Sequence, residues 1–161
     1  MKHRLRNAIA TTVVLPAALL AAALPVATQA AGQSQAAQDP VYREECGACH
    51  LAYPPALLAA GDWKRLLAGL SDHFGSDAAV DATQQREIAA FLTRHAGNPG
   101  AAGTPPRITR TARFVRKHDE IPARFWRDPR VRSPANCEAC HTRAGEGRFS
   151  EHEIGIAELR E

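Results

Sequence analysis

The chain has 161 residues and a formal net charge of +3. That excess comes from Lys2, Arg4 and Arg6, because the remaining basic residues are matched by the 17 acidic ones. Beyond residue 30 the chain is therefore neutral, which excludes the general basic excess of nucleic-acid-binding proteins, and its length suffices for one compact domain or two very small ones.

Residues 1–30 have the composition of a secretory signal peptide. A basic start precedes an uncharged run rich in Ala, Leu and Val, and small residues close the segment. A retained membrane anchor is the alternative, because the apolar run approaches the roughly 20 residues that span a bilayer. Pro16, Pro25 and the small-residue ending favour cleavage. We therefore expect an exported protein without stable membrane insertion, in which residues 31–40 form a flexible lead-in.

Two pentapeptides, "CGACH" at 46–50 and "CEACH" at 137–141, contain every cysteine of the chain. Each is Cys-x-x-Cys followed directly by His, which is the attachment signature of c-type haem. The two thiols form thioethers to the haem, and the His binds its iron. A thioredoxin-like dithiol does not need this His, and a zinc site built from both pairs is a less specific alternative. We predict two covalent haem c groups, held by Cys46, Cys49 and His50 and by Cys137, Cys140 and His141.

Residues 41–103 are predicted to form a helical haem domain. After the first motif, "LAYPPALLAAG" predicts a loop that covers a haem edge. Asp62 is predicted as the N-cap of a helix from Trp63, and apolar residues recur in that helix at the 3.6-residue period. A second helix is predicted from Thr83, with Gly97 ending it. A motif-bearing short helix, a loop and two further helices are the order of a minimal class I cytochrome c.

Residues 104–161 are predicted to form a second haem-binding domain. The Gly- and Pro-rich stretch 95–107 predicts a linker, with the boundary near Gly103. A helix is predicted from about Ile108 to Lys117, and prolines at 122, 129 and 134 limit longer helices beyond it. A segment with this little regular structure buries little apolar surface. The haem is therefore expected to replace much of the apolar core of this half. The predicted fold class is all-α with substantial irregular structure, combining a class I cytochrome c-like half with a haem-organised half of few helices.

The second axial ligand of each iron decides between electron transfer and catalysis. Methionine is the commonest partner in class I cytochromes, but the only Met is Met1, inside the predicted leader. The remaining candidates for the second axial position are another histidine, a lysine, a backbone amine or an open position. His73 continues the apolar stripe of the first predicted helix, and His118 follows an apolar pair of residues at helical spacing. We predict His73 as ligand of the first haem and His118 as ligand of the second.

Two further histidines remain as alternatives. His95 has a simpler explanation, because a basic side chain near a helix C-terminus interacts favourably with the helix dipole. His152 lies between two glutamates, which is typical of a solvated position. Whether His118 instead crosses to the first haem is left open by the residues.

Several segments resemble one family. "WKRLLAGLSDHFGSDAAV", "REIAAFL", "RFVRKHDEIP" and "ANCEACH" are similar to the periplasmic bacterial dihaem cytochromes c of the DHC type, over residues 41–157. The resemblance implies two bis-histidine haems and a role as an electron carrier. It also implies redox proteins as partners, such as an oxygen-binding monohaem cytochrome or a membrane cytochrome.

Two imidazoles on one iron leave no position for a substrate, so electron transfer without catalysis is expected. Their potentials should be low, since methionine ligation is what raises the potential of cytochromes c. Most of the basic run from Arg107 to Arg132 is expected to be a solvated basic face, and some of its arginines are predicted to hold haem propionates. A docking patch for an acidic redox partner is the alternative. The alternatives are a haem enzyme or gas-binding sensor with one open or displaceable iron ligand, and a zinc-binding interaction module.

Overall fold

The computed structural model describes residues 39–159, so the predicted signal peptide and most of the lead-in lie outside the described residues. Within this range the regular structure consists of short 3-10 turns and four α-helices: α1 (Pro40–Gly47), α2 (Ala60–Ala68), α3 (Ala82–His95) and α4 (Ala112–Lys117). The described part of the chain has no strand, and none of its helices is long and apolar enough to cross a membrane. The predicted all-α class with substantial irregular structure is confirmed.

Helix α1 carries the first cysteine of the first motif. Asp39 caps it by accepting a 2.7 Å hydrogen bond from the backbone N–H of Tyr42, and Pro40 occupies the first turn, where no N–H is needed. The helix ends at Gly47, one residue after Cys46. The second cysteine and the histidine of the motif therefore lie on the turn that follows.

Helix α2 begins earlier than predicted, and Asp62 is not its N-cap. Ala59 occupies that position without a side-chain hydrogen bond. Asp62 lies inside the first turn, buried, and pairs with Arg65 one turn later. There its carboxylate interacts favourably with the N-terminal end of the helix dipole. The prediction was wrong because Asp is favourable both as an N-cap and within the first helical turn, and the sequence alone does not distinguish the two positions.

Helix α3 begins one residue before the predicted start. Asp81 and Gln84 form a capping box at its N-terminus. The helix ends at His95 and not at Gly97. Gly97 is needed for a different reason, since a Cβ at this position would lie 2.1 Å from the carbonyl oxygen of Ala56. It is a point of close backbone approach, not a left-handed cap.

The larger hydrophobic core lies between α1, α2 and α3. Its most buried side chains are Tyr42, Leu58, Ile88 and Leu92, and α2 and α3 pack against each other. The stretch after α3 also packs here, because Ala102 is buried in this core. The segment with the composition of a linker is thus held against the first half of the chain.

The second half has a much smaller core. Phe125, Val131 and Ile156 form its buried cluster. Helix α4 is shorter than predicted, because Thr111 adopts an extended backbone and caps it by accepting a 3.2 Å hydrogen bond from the N–H of Phe114. Residues 108–110 form a separate 3-10 turn. Most of this half is therefore organised by turns and not by helix packing.

Candidate functional site

The histidine of the first motif lies beyond the end of α1. His50 is exposed, and its Nδ1 lies 2.8 Å from the carbonyl oxygen of Leu51. When Nδ1 donates to this carbonyl, Nε2 keeps its lone pair and can bind a metal. The ring of Tyr53 stacks on His50, with centroids 4.8 Å apart and 23° between the planes. The carbonyl and the aromatic ring together fix the orientation of the imidazole.

His73 faces His50 across this site. Their ring centroids are 6.2 Å apart, with 31° between the planes. The predicted reason for this position was wrong, because α2 ends at Ala68 and the helical stripe does not reach His73. A tight turn positions it instead: the backbone of His73 pairs with Ser76, and Phe74 adopts a left-handed conformation with φ of 57°.

The second motif lies on a 3-10 turn, Cys137–Ala139. The backbone of His141 pairs with Ile154, so the chain after the motif folds back beside it. Among the described residues, the Nδ1 of His141 is the buried side-chain nitrogen without a hydrogen-bond partner. Unlike His50 and His118, His141 therefore has no described polypeptide group that fixes its tautomer through Nδ1.

His118 faces His141. Their centroids are also 6.2 Å apart, and the planes are perpendicular at 90°. His118 follows the last residue of α4, and its Nδ1 lies 2.8 Å from the carbonyl oxygen of Phe114 one turn earlier. Donation to this carbonyl leaves Nε2 as the metal-binding nitrogen. The ring also stacks on Phe114 at 4.0 Å and lies 5.9 Å from the ring of Trp126.

The equal spacing of the two histidine pairs fits an iron between them. An imidazole nitrogen binds a metal at about 2 Å, and the ring centroid lies about 1 Å beyond that nitrogen. The centroids of two imidazoles on opposite sides of one metal are therefore about 6 Å apart. Both pairs match this value. Burial and the facing histidine also lower the pKa of His73 and of His141. A lowered pKa keeps each imidazole neutral, which is the form that binds a metal.

The cysteines do not have the character of a redox dithiol. Burial raises the pKa of Cys46 and of Cys137 to about 11, and it also raises the pKa of Cys140. Reactive dithiols have lowered values that favour the thiolate. Within residues 39–159, no group of three or more His, Cys, Asp and Glu side chains is placed to hold a zinc ion. Neutral thiols beside a histidine pair fit thioether attachment better.

The two alternative histidines lie in other surroundings. His95 is in the last turn of α3, where its ring packs on Phe91 with centroids 5.0 Å apart. His152 is exposed on the turn Glu151–Glu153. Neither has an aromatic contact with His50 or His141, whereas His73 and His118 do.

Comparison with known proteins decides the family. The family described as dihaem cytochrome c matches residues 42–149, which is more than half of the chain. The chain belongs to the dihaem cytochrome c family. It therefore carries two covalently bound c-type haems and serves haem-based electron transfer. A search of curated proteins finds no match.

Solved structures agree with this membership. A diheme cytochrome type c from Shewanella baltica OS155 is 41% identical, with a TM-score of 0.66 over 74% of this chain and 93% of that one. A diheme cytochrome c from Rhodobacter sphaeroides is 43% identical, with a TM-score of 0.63 over 69% of this chain and 96% of that one. A DHC purified from Rhodobacter sphaeroides is 46% identical, with a TM-score of 0.62 over the same shares. The resemblance seen in the sequence is confirmed for this dihaem cytochrome.

Sequence reasoning missed one residue of the site. Tyr53 was placed in a loop expected to cover a haem edge, with no individual role. Its ring contacts His50, and its hydroxyl donates a 2.8 Å hydrogen bond to the carbonyl oxygen of Ala135, beside the second motif of the cytochrome. The only available signal was an aromatic residue three positions after the histidine of the first haem-attachment motif. Its partner lies 82 positions away and is not indicated by any local pattern.

Proposed function

We propose that this cytochrome carries single electrons between redox proteins of the periplasm through two low-spin haems, each ligated by two histidines. His50 and His73 would hold the first iron, and His141 and His118 the second. The proposal rests on one observation, the 6.2 Å separation of both ring pairs. The haem irons supply one-electron chemistry between the ferric and ferrous states.

The residues of the chain would set how this chemistry is used. With both axial positions filled by imidazole, neither iron has a site for substrate, so the protein would act as a carrier and not as an enzyme. Bis-histidine ligation also gives low potentials, because methionine ligation raises them. We further propose that residues 41–103 and 104–161 act as two haem-binding units, and that the leader is removed on export.

The ligation is tested by spectra of the native protein in both oxidation states. We expect low-spin c-type bands, no long-wavelength absorption of methionine-ligated ferric haem, and no change when CO is added to the reduced protein. CO binding to native reduced protein at one haem would contradict bis-histidine ligation there. That outcome would favour a gas-binding or catalytic cytochrome with an open or displaceable ligand.

We propose that redox partners dock on the basic second half. Residues 104–161 carry twelve basic and nine acidic side chains, whereas residues 31–103 carry five basic and eight acidic ones. Some of the basic residues are internally paired, such as Arg130 with Asp128 and Glu158. Within residues 39–159, no ion pair involves the following exposed arginines of the basic run: Arg107, Arg110, Arg113, Arg116, Arg124, Arg127 and Arg132. Such side chains attract an acidic surface.

This surface predicts electron transfer that slows with salt. Added salt screens exposed charges, because the Debye length falls from about 10 Å at 0.1 M to about 3 Å at 1 M. We therefore expect the bimolecular rate with an acidic redox partner, an oxygen-binding monohaem cytochrome or a membrane cytochrome, to fall as salt rises. Replacing Arg113 and Arg116 by Gln should weaken this dependence. Arg65→Gln is the control, because Arg65 lies in the first half and pairs with Asp62. A rate independent of salt would contradict the docking surface.

A further inference from the structure

Tyr53 connects the two haem-binding motifs directly. Its ring stacks on His50, which belongs to the first motif. Its hydroxyl donates to the carbonyl oxygen of Ala135, and the Sγ of Cys137 lies 3.7 Å from the same oxygen. One side chain thus links the histidine of the first motif to the Ala135 carbonyl, which lies two residues before the first cysteine of the second motif.

Other contacts hold Tyr53 in this position. The hydroxyl of Tyr42, which is buried in the first core, donates a 2.8 Å hydrogen bond to the backbone carbonyl of Tyr53. The ring, backbone and hydroxyl of Tyr53 are each held by a different partner.

We propose that Tyr53 sets the rate at which the two haems exchange an electron, both by fixing the relative position of the two motifs and by bridging them through its ring and hydroxyl. Tunnelling decays more steeply through empty space than through packed atoms and hydrogen bonds, so a stacked ring followed by a hydrogen bond is an efficient route. One electron leaves a ferrous iron, which becomes ferric, and reduces the other iron from ferric to ferrous. No bond is made or broken, and Tyr53 keeps its proton and its electrons.

This inference rests on the proposed electron-transfer function of two low-spin haems and adds the residue that couples them. Two variants separate its contacts. Tyr53→Phe keeps the ring on His50 and removes the hydrogen bond to Ala135, whereas Tyr53→Leu removes both. The matched control is Gln85→Met, which removes a side-chain donor to the Leu67 carbonyl within the first half.

The measurement is the electron exchange rate between the haems of half-reduced holoprotein, taken from the broadening and exchange of the haem methyl resonances in proton NMR. We expect Tyr53→Phe to slow the exchange several-fold, Tyr53→Leu to slow it further, and Gln85→Met to match the wild type. The magnetic interaction between the two ferric irons, seen by EPR, should weaken in the same order. A purely local structural role would alter stability without altering the exchange in Tyr53→Phe.

An unchanged exchange rate in Tyr53→Phe and Tyr53→Leu, with both irons still low-spin, would overturn the proposal. If Tyr53→Leu does not fold, Tyr53→Phe decides alone, because it retains the stacked ring. A high-spin iron in the wild type would speak against the proposed ligation instead. The two failures are therefore distinguishable in one set of samples.

Discussion

Replacing His118 by Ala should convert one of the two haems from low spin to high spin and leave the other unchanged. His118 is held with its ring 6.2 Å from His141 by a hydrogen bond to the Phe114 carbonyl and by stacking on Phe114. An alanine leaves the second iron without this ligand, so a weaker ligand or none takes its place. The reduced variant should then bind one CO per protein. Absorption and EPR spectra provide the measurement.

The matched control is His152→Ala. His152 is an exposed histidine of the same half, and its removal should leave both haems low-spin and closed to CO. In the first half, His73→Ala should have the same effect on the first haem, with His95→Ala as its control. An unchanged His118→Ala spectrum, or a change at the first haem, would contradict the pairing of His118 with His141.

Loss of the second haem should unfold the second half of the protein selectively. In residues 104–159 the buried cluster consists of Phe125, Val131 and Ile156, and chains of about 55–65 residues are marginally stable even with a full core. The variant in which Cys137 and Cys140 are both replaced by Ala lacks the thiols that attach the second haem, so it should carry one haem instead of two. Without that haem, the second half should lose its folded structure. Amide hydrogen exchange should show lost protection over this half, with α2 and α3 still protected.

The first-half variant, with Cys46 and Cys49 replaced by Ala, provides the comparison. Its half retains a larger core, which includes Leu58, Ile88 and Leu92. Loss of the first haem should consequently cost α2 and α3 less protection than loss of the second haem costs residues 104–159. Equal losses in the two variants would show that the haem does not replace a core in the second half.

The sequence was sufficient to predict what depends on local pattern. Both haem motifs follow from residue spacing, and the start of α3 was predicted at Thr83, one residue after the observed start at Ala82. The fold class followed from the predicted helices, and the family followed from the resemblance of several segments to known dihaem cytochromes. By contrast, Gly97 has the composition signal of a helix end but is required by the close approach of Ala56. A contact between distant segments has no local signature.

The two histidines predicted as second axial ligands show the same division between local pattern and distant contact. His73 and His118 were selected partly because methionine was absent, which is a matter of composition. The helical stripe used for His73 stops at Ala68, and the left-handed Phe74 and the backbone pairing with Ser76 position this histidine instead. Such turns depend on backbone conformations that residue periodicity does not encode.

The most direct test of two bis-histidine haems is the EPR spectrum of the fully oxidised protein. When the two imidazole planes are nearly parallel, they interact with one of the two iron d orbitals that point out of the haem plane more than with the other, so the two orbitals differ in energy. When the planes are perpendicular, both orbitals are affected equally and stay nearly degenerate. The 31° pair, His50 and His73, should therefore give a rhombic low-spin signal, and the 90° pair, His118 and His141, a highly anisotropic one with a large principal g value. We expect these two signals at equal intensity. A high-spin ferric signal with the intensity of one haem would contradict the account.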